Sequence, residues 1–168
     1  MPAPYVQRKV EDIIYYYYAK LVIAPSAGFP RNYKFIIDAY KKLKSGELQM
    51  SDYDRELTHL AEQGRECAFC LASSALAAVH IVPRDLAGPI GIHNTVYACA
   101  SCKESKADRD MVDWWCGLLK RDRDDIPRVP LGLYLKIAYE IHRVRFSLKD
   151  ECQDLSGLFS RAVPQTGS

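Results

Sequence analysis

The sequence predicts an α+β fold, mostly helical, with a small two-stranded core set between helices. Three observations predict it. Apolar residues recur at helical spacing near both ends, at Val10, Ile13, Ile14, Tyr17 and Leu21 and again at Leu133, Ile137, Ile141 and Val144. Residues 65–110 change character, being rich in Ala, Cys, Gly and Pro with short apolar runs. Two Cys-x-x-Cys pairs, Cys67–Cys70 and Cys99–Cys102, bracket most of that stretch.

The first helix is expected over Arg8–Ile23. Its run Tyr15–Tyr18 wraps the helix, so some rings must be partly exposed, either as half-buried packing or as a surface for bases or a partner. Pro25–Pro30 breaks it. Asn32 can cap a second helix to about Lys44, with Phe35, Ile36, Ala39, Tyr40 and Leu43 as its apolar stripe. Gly46 ends it. A third helix carries Leu57, Leu60 and Ala61 to about Gln63, and Gly64 closes it.

Ala77–Val82 reads as a strand limited by Pro83, and Asn94–Ala98 as a second strand leading into Cys99. A helix is expected from about Ser101, kinked, through Trp114 and Trp115 to Leu119. One indole is expected inside and the other partly out. Residues 120–125 are a charged, solvated turn. Leu131–Phe146 forms the last helix. The expected organisation is a helical extension over 1–64, a core over 65–120, a C-terminal helical part over 121–160 that packs on the core, and a loose tail over 161–168.

The 168 residues suffice for a core without disulfides, and the net charge of +2 lacks the basic excess of many nucleic-acid modules. Any such surface must come from local clustering. Residues 1–10 hold no apolar signal segment and no apolar run is long enough for a membrane span, so no membrane role is expected. The expected location is cytoplasmic, intracellular and reducing, with cysteines as thiols. Four thiols in two tight pairs then point to a structural zinc ion held by Cys67, Cys70, Cys99 and Cys102. A disulfide scaffold is the alternative reading. Cys116 and Cys152 are expected as small buried apolar residues.

Between the pairs runs Val79-His80-Ile81-Val82-Pro83-Arg84, then a Gly-containing loop, then Asn94 to Lys106. This order and spacing, over about residues 66–115, resembles the HNH endonuclease family in its zinc-bound form. The resemblance implies a ββα-metal core, two strands with a helix packed across them, held here by the four-cysteine zinc site and flanked by N- and C-terminal helices. It implies a nuclease, a DNA-binding hydrolase acting on double-stranded DNA. His80 matches the general base, an imidazole being able to accept a proton at cellular pH. Asn94 matches the asparagine that braces the loop, since an amide donates and accepts at once.

Two positions depart from the family pattern. An aspartate that binds the catalytic divalent ion is replaced by Val79, and an asparagine or histidine ligand by Lys103. Valine offers no lone pair, and a lysine ammonium repels a cation. A catalytic Mg or Mn ion therefore lacks its usual ligands. Three outcomes follow. Lys103 stands in for the ion's charge; or His93, Asp85 or Glu104 supplies ligands to a second metal ion from unusual positions; or the domain binds without cutting. Arg84, Lys103, Lys106 and Arg109 are the candidate phosphate-binding residues. A different class of function is a non-catalytic adaptor whose Tyr-rich first helix recruits a protein. The terminal helices are also open to a homodimer contact.

Overall fold

The structure is a computed structural model and describes residues 8–159. It is mostly helical with one small antiparallel sheet. Two compact units divide the described chain, Asp54–Ile137 and the residues on either side of it.

The flanking unit is built on α1 (Val10–Tyr18). It continues through a wide π-type turn over Ala19–Ile23 into α2 (Ala24–Ser26). The wide turn sits just ahead of Pro25, which has no N–H to give the preceding turn and whose ring crowds it. The helix therefore runs past Ile23 before it ends. Val10, Ile13, Ile14, Tyr17, Tyr18 and Val22 are almost wholly buried. Tyr16 is buried as well, and Tyr15 is half-buried with its hydroxyl 3.3 Å from that of Tyr139. Three rings of the run are therefore core and Tyr15 stays partly exposed, as half-buried packing with its hydroxyl partnered.

Asn32 starts α3 (Tyr33–Ser45), its Oδ1 accepting from the Phe35 N–H at 3.0 Å. Gly46, at φ 83°, takes the left-handed turn after the helix that a side chain would resist. Buried Asp12 accepts from the Tyr40 hydroxyl at 3.0 Å and pairs with Lys44 at 2.8 Å, both from α3. His142 is fully buried in the same unit and donates from Nε2 to the Leu158 carbonyl at 2.8 Å.

The central unit begins with α4 (Asp54–Gln63). Strand β1 (Leu76–His80) pairs antiparallel with β2 (Thr95–Cys99), from Leu76 opposite Cys99 to His80 opposite Thr95. Helix α5 (Ala100–Lys106) follows at once and lies against both strands. The order is thus strand, strand, helix. Strand β1 stops two residues before the predicted Val82. The reason is Asn94, whose side chain occupies both the N–H and the carbonyl of Val82.

The predicted long helix from Ser101 to Leu119 is instead two pieces. Helix α5 ends at Ala107, at φ 46°. A second, wide-turned helix spans Asp113–Leu118, where Asp110 Oδ1 accepts the free N–H groups of Val112 and Asp113. Both indoles are buried, at 1 % and 3 % exposure, so neither reaches solvent as expected. Each has a partner for its N–H. Trp114 donates to Ser105 Oγ and Trp115 to the Asp122 carbonyl, both at 2.9 Å. Helix α6 (Arg128–Val144) carries Pro130 in its first turn, where no N–H is needed. Cys116 is half-buried and Cys152 buried. None of the six cysteines is in a disulfide. No helix among the described residues is long and apolar enough to cross a membrane.

Candidate metal centre and adjoining cleft

Two tight turns bring four sulfurs together. In the first, the Leu71 N–H donates to the Cys67 carbonyl at 3.0 Å and Leu71 adopts φ 67°, which curls Cys67 and Cys70 toward each other. The turn is tied to the sheet by the Ala68 N–H on the Tyr97 carbonyl at 2.8 Å. In the second, Cys99 ends β2 and also caps α5, its Sγ 3.5 Å from the Cys102 N–H. The sulfurs of Cys67, Cys70, Cys99 and Cys102 all lie within 4.8 Å of one another, and those of Cys70 and Cys99 are 3.6 Å apart. Four metal–sulfur bonds of about 2.3 Å in a tetrahedron put sulfurs about 3.8 Å apart. The quartet is placed to bind a metal ion.

The thiols' own chemistry agrees. Burial raises the proton affinity of Cys67, but backbone N–H groups of Cys99, Cys70 and Phe69 outweigh it and bring its pKa down to about 7. Cys102 is pushed up by burial and by its hydrogen bonds to the other three thiols. One thiolate forms readily and hinders the next. Four can coexist only around a cation.

Next to this centre lies a cleft of about 310 Å³. Its walls are Ala78, Val79 and His80 from β1, Pro83 and Arg84 from the loop, Phe69 from the first cysteine turn, and Cys102, Lys103, Lys106, Ala107 and Asp108 from α5 and its end. Four residues singled out from sequence, His80, Arg84, Lys103 and Lys106, therefore share one cavity. The imidazole of His80 is exposed at the strand end, as are the side chains of Arg84 and Lys103.

Lys106 is different. It is 2 % exposed, and its ammonium donates to the carbonyls of His80 at 3.1 Å and Arg109 at 3.3 Å. Burial lowers its pKa to about 8 against the pull of Asp110 and Asp108. It fastens the end of β1 to the end of α5. Arg109 does not line the cleft. It is exposed and turns back on its own helix, donating to the Ser105 carbonyl at 2.9 Å.

Asn94 is 1 % exposed and bridges the strand-linking loop. Its Oδ1 accepts from the Val82 N–H, and its Nδ2 donates to the carbonyls of Val82 and Pro89, each at 2.8 Å. The loop has room for nothing at Gly88, where a Cβ would lie 1.9 Å from the Val82 oxygen.

The second metal set expected from His93, Asp85 and Glu104 is not assembled. His93 Nδ1 lies 3.4 Å from Thr58 Oγ1, and His93 lines a separate cleft with Asp54, His59 and Glu62. Asp85 is exposed in the turn Arg84–Leu86, and Glu104 is exposed on α5. Among the described residues, the cysteine quartet is the one group of three or more metal-donor side chains gathered together. The turn geometry of the loop sends His93 away from the cleft that His80 enters.

Sequence reasoning missed two members of the cleft. These are Asp108 and Phe69, to which no residue pattern in the sequence draws attention. Phe69 packs edge-on against Trp114, with ring centroids 5.0 Å apart, so it anchors the first cysteine turn as well as the cleft wall. No protein-family model, curated protein or solved structure matches this chain.

Proposed function

We propose that this chain is an HNH-like nucleic-acid-binding protein in which zinc at Cys67, Cys70, Cys99 and Cys102 is structural and the neighbouring cleft receives a phosphodiester. The observation that carries the reading is the sharing of one cleft by an exposed imidazole, His80, and three cationic side chains, Arg84, Lys103 and Lys106. Zinc suits a closed set of four thiolates, which leaves no open position for substrate. Its task is to hold the two cysteine turns, and through them the walls of the cleft.

In this reading Arg84 and Lys103 neutralise backbone phosphate, which gives affinity without sequence preference. His80 accepts a proton from the attacking group. Asn94 holds the loop that ends at the strand carrying His80, and Lys106 holds the His80 carbonyl. Double-stranded DNA is the substrate that the HNH resemblance implies.

A gel-shift titration against salt tests the binding. Affinity falling steeply as salt rises is the expected result, and no binding at low salt to duplex or single strand defeats the proposal. A plasmid-nicking assay with Mg²⁺, Mn²⁺, Ni²⁺ or EDTA, beside His80→Ala, tests the chemistry. Binding with equal inertness of both proteins under every condition would leave the alternative, a non-cutting nucleic-acid module.

A further inference from the structure

Of the residues that line the His80 cleft, Asp108 is the sole carboxylate among the described residues, and it stands among Arg84, Lys103 and Lys106. A divalent ion such as Mg²⁺ takes six oxygens and prefers anionic ones. Here the positive charge such an ion would bring is already present, fixed on side chains. The electrostatic half of phosphoryl chemistry, stabilising charge that builds on the phosphate oxygens, can be done by such cations.

The nucleophile is the remaining problem. Hydrolysis of a DNA diester needs an outside water made reactive, and a single imidazole without a metal is a weak device against a barrier of that size. RNA carries its own nucleophile. The 2′-hydroxyl is already bonded next to the phosphate, and well-oriented intramolecular attack is equivalent to a reactant concentration of about 10⁵–10⁸ M. One base and several cations then suffice.

The cleft's shape agrees. Its volume, about 310 Å³, is at the small end of ligand clefts, on the scale of one nucleotide rather than a duplex. Its apolar wall presents the accessible side chains of Ala78 and Val79, backed by buried Phe69 and Pro83, to an unstacked base.

We infer that this cleft acts on single-stranded RNA, cutting it by transesterification with His80 as base and the fixed cations Arg84 and Lys103 in place of a catalytic metal ion. The inference rests on the phosphodiester reading above and replaces its substrate. In the step, the His80 imidazole takes the 2′-hydroxyl proton as the 2′-oxygen bonds to phosphorus. The bond from phosphorus to the 5′-oxygen breaks. That oxygen takes a proton from water, and the imidazolium returns its proton to the hydroxide so formed, beside the fixed charges of Arg84 and Lys103. The products are a 2′,3′-cyclic phosphate and a 5′-hydroxyl, with no oxidant, reductant or added metal required.

The experiment uses the full chain loaded with one zinc per molecule, in buffer stripped of Mg²⁺ and Mn²⁺, on a 5′-labelled single-stranded RNA. Cleavage with a 2′,3′-cyclic end is expected. A single 2′-deoxy substitution at the cut position should abolish it, and added Mg²⁺ should change the rate less than threefold. His80→Ala, purified identically, should lose at least 100-fold and Lys103→Met at least tenfold. Both variants must keep the zinc content and melting temperature of the wild type. Where one does not, His80→Gln or Lys103→Gln is measured in its place. RNA left intact, or cut only when a divalent ion is added, overturns the inference. Nicking of DNA with Mg²⁺ would do the same while leaving the phosphodiester reading standing. Failure to bind either nucleic acid would remove both.

Discussion

Lys106→Met isolates the most unusual charge in the molecule. The ammonium is buried, and burial lowers its pKa from 10.5 to about 8. A tenfold change in proton affinity corresponds to about 1.4 kcal/mol, so keeping the charged form in the fold costs about 3 kcal/mol at neutral pH. Against this stand two hydrogen bonds to the carbonyls of His80 and Arg109, together about 1–3 kcal/mol. Methionine removes both the charge and the bonds, so at pH 7 the variant should lie within about 2 kcal/mol of the wild type.

The pH dependence is the decisive part. Between about pH 8 and 10.5 the unfolded lysine holds a proton that the folded one has released. The unfolded state then binds more protons, and stability rises with pH. The neutral amine keeps two N–H groups, enough for both carbonyls. Wild type should therefore gain about 3 kcal/mol on the variant across this window. Urea unfolding followed by the fluorescence of Trp114 and Trp115, at steps from pH 7.5 to 10.5, measures it. Taking the difference between the two proteins removes the thiols and tyrosines, which titrate in both. A difference that stays flat or falls as pH rises would refute the reasoning.

Other substitutions test other parts of the structure. Cys99→Ser should abolish stoichiometric zinc binding, read by elemental analysis, and lower stability by several kcal/mol, because metal binding and folding are linked. Asn94→Ala removes three hydrogen bonds, two of them buried, and should cost about 3 kcal/mol in urea unfolding. Asn94→Asp should be no better, since a carboxylate cannot donate to the two carbonyls. Gly88→Ala forces a methyl group into the Val82 carbonyl and should cost about 1–3 kcal/mol, visible as a lower melting temperature. Tyr40→Phe leaves Asp12 with one fewer donor in a fully buried site and should cost about 1–2 kcal/mol by the same measurement.

The legible parts of this chain were those with short-range causes. Cysteine spacing forecast the four-sulfur cluster, because two-residue gaps force a tight turn that points both thiols one way. Asn32 and Gly46 marked the ends of α3 for equally local reasons. What stayed hidden depends on distant partners. A lone helix shows that some ring of Tyr15–Tyr18 must stay partly exposed but not which one; α3 and the chain after Ala138 bury Tyr16, Tyr17 and Tyr18 and leave Tyr15 half-buried. The break between α5 and the Asp113–Leu118 helix is set by Asp110 taking N–H groups of its neighbours while its other oxygen accepts from Tyr134. His93 was grouped with Asp85 and Glu104 from nearness in sequence, and a contact with Thr58 far back in the chain separates them.

Cys102 belongs both to the sulfur quartet and to the wall of the His80 cleft, with Lys103 its immediate neighbour. The scaffold's clasp and the adjoining hollow thus share one stretch of peptide. A metal ion seated among the four sulfurs would therefore brace one wall of the hollow together with both cysteine turns, and its loss would loosen both.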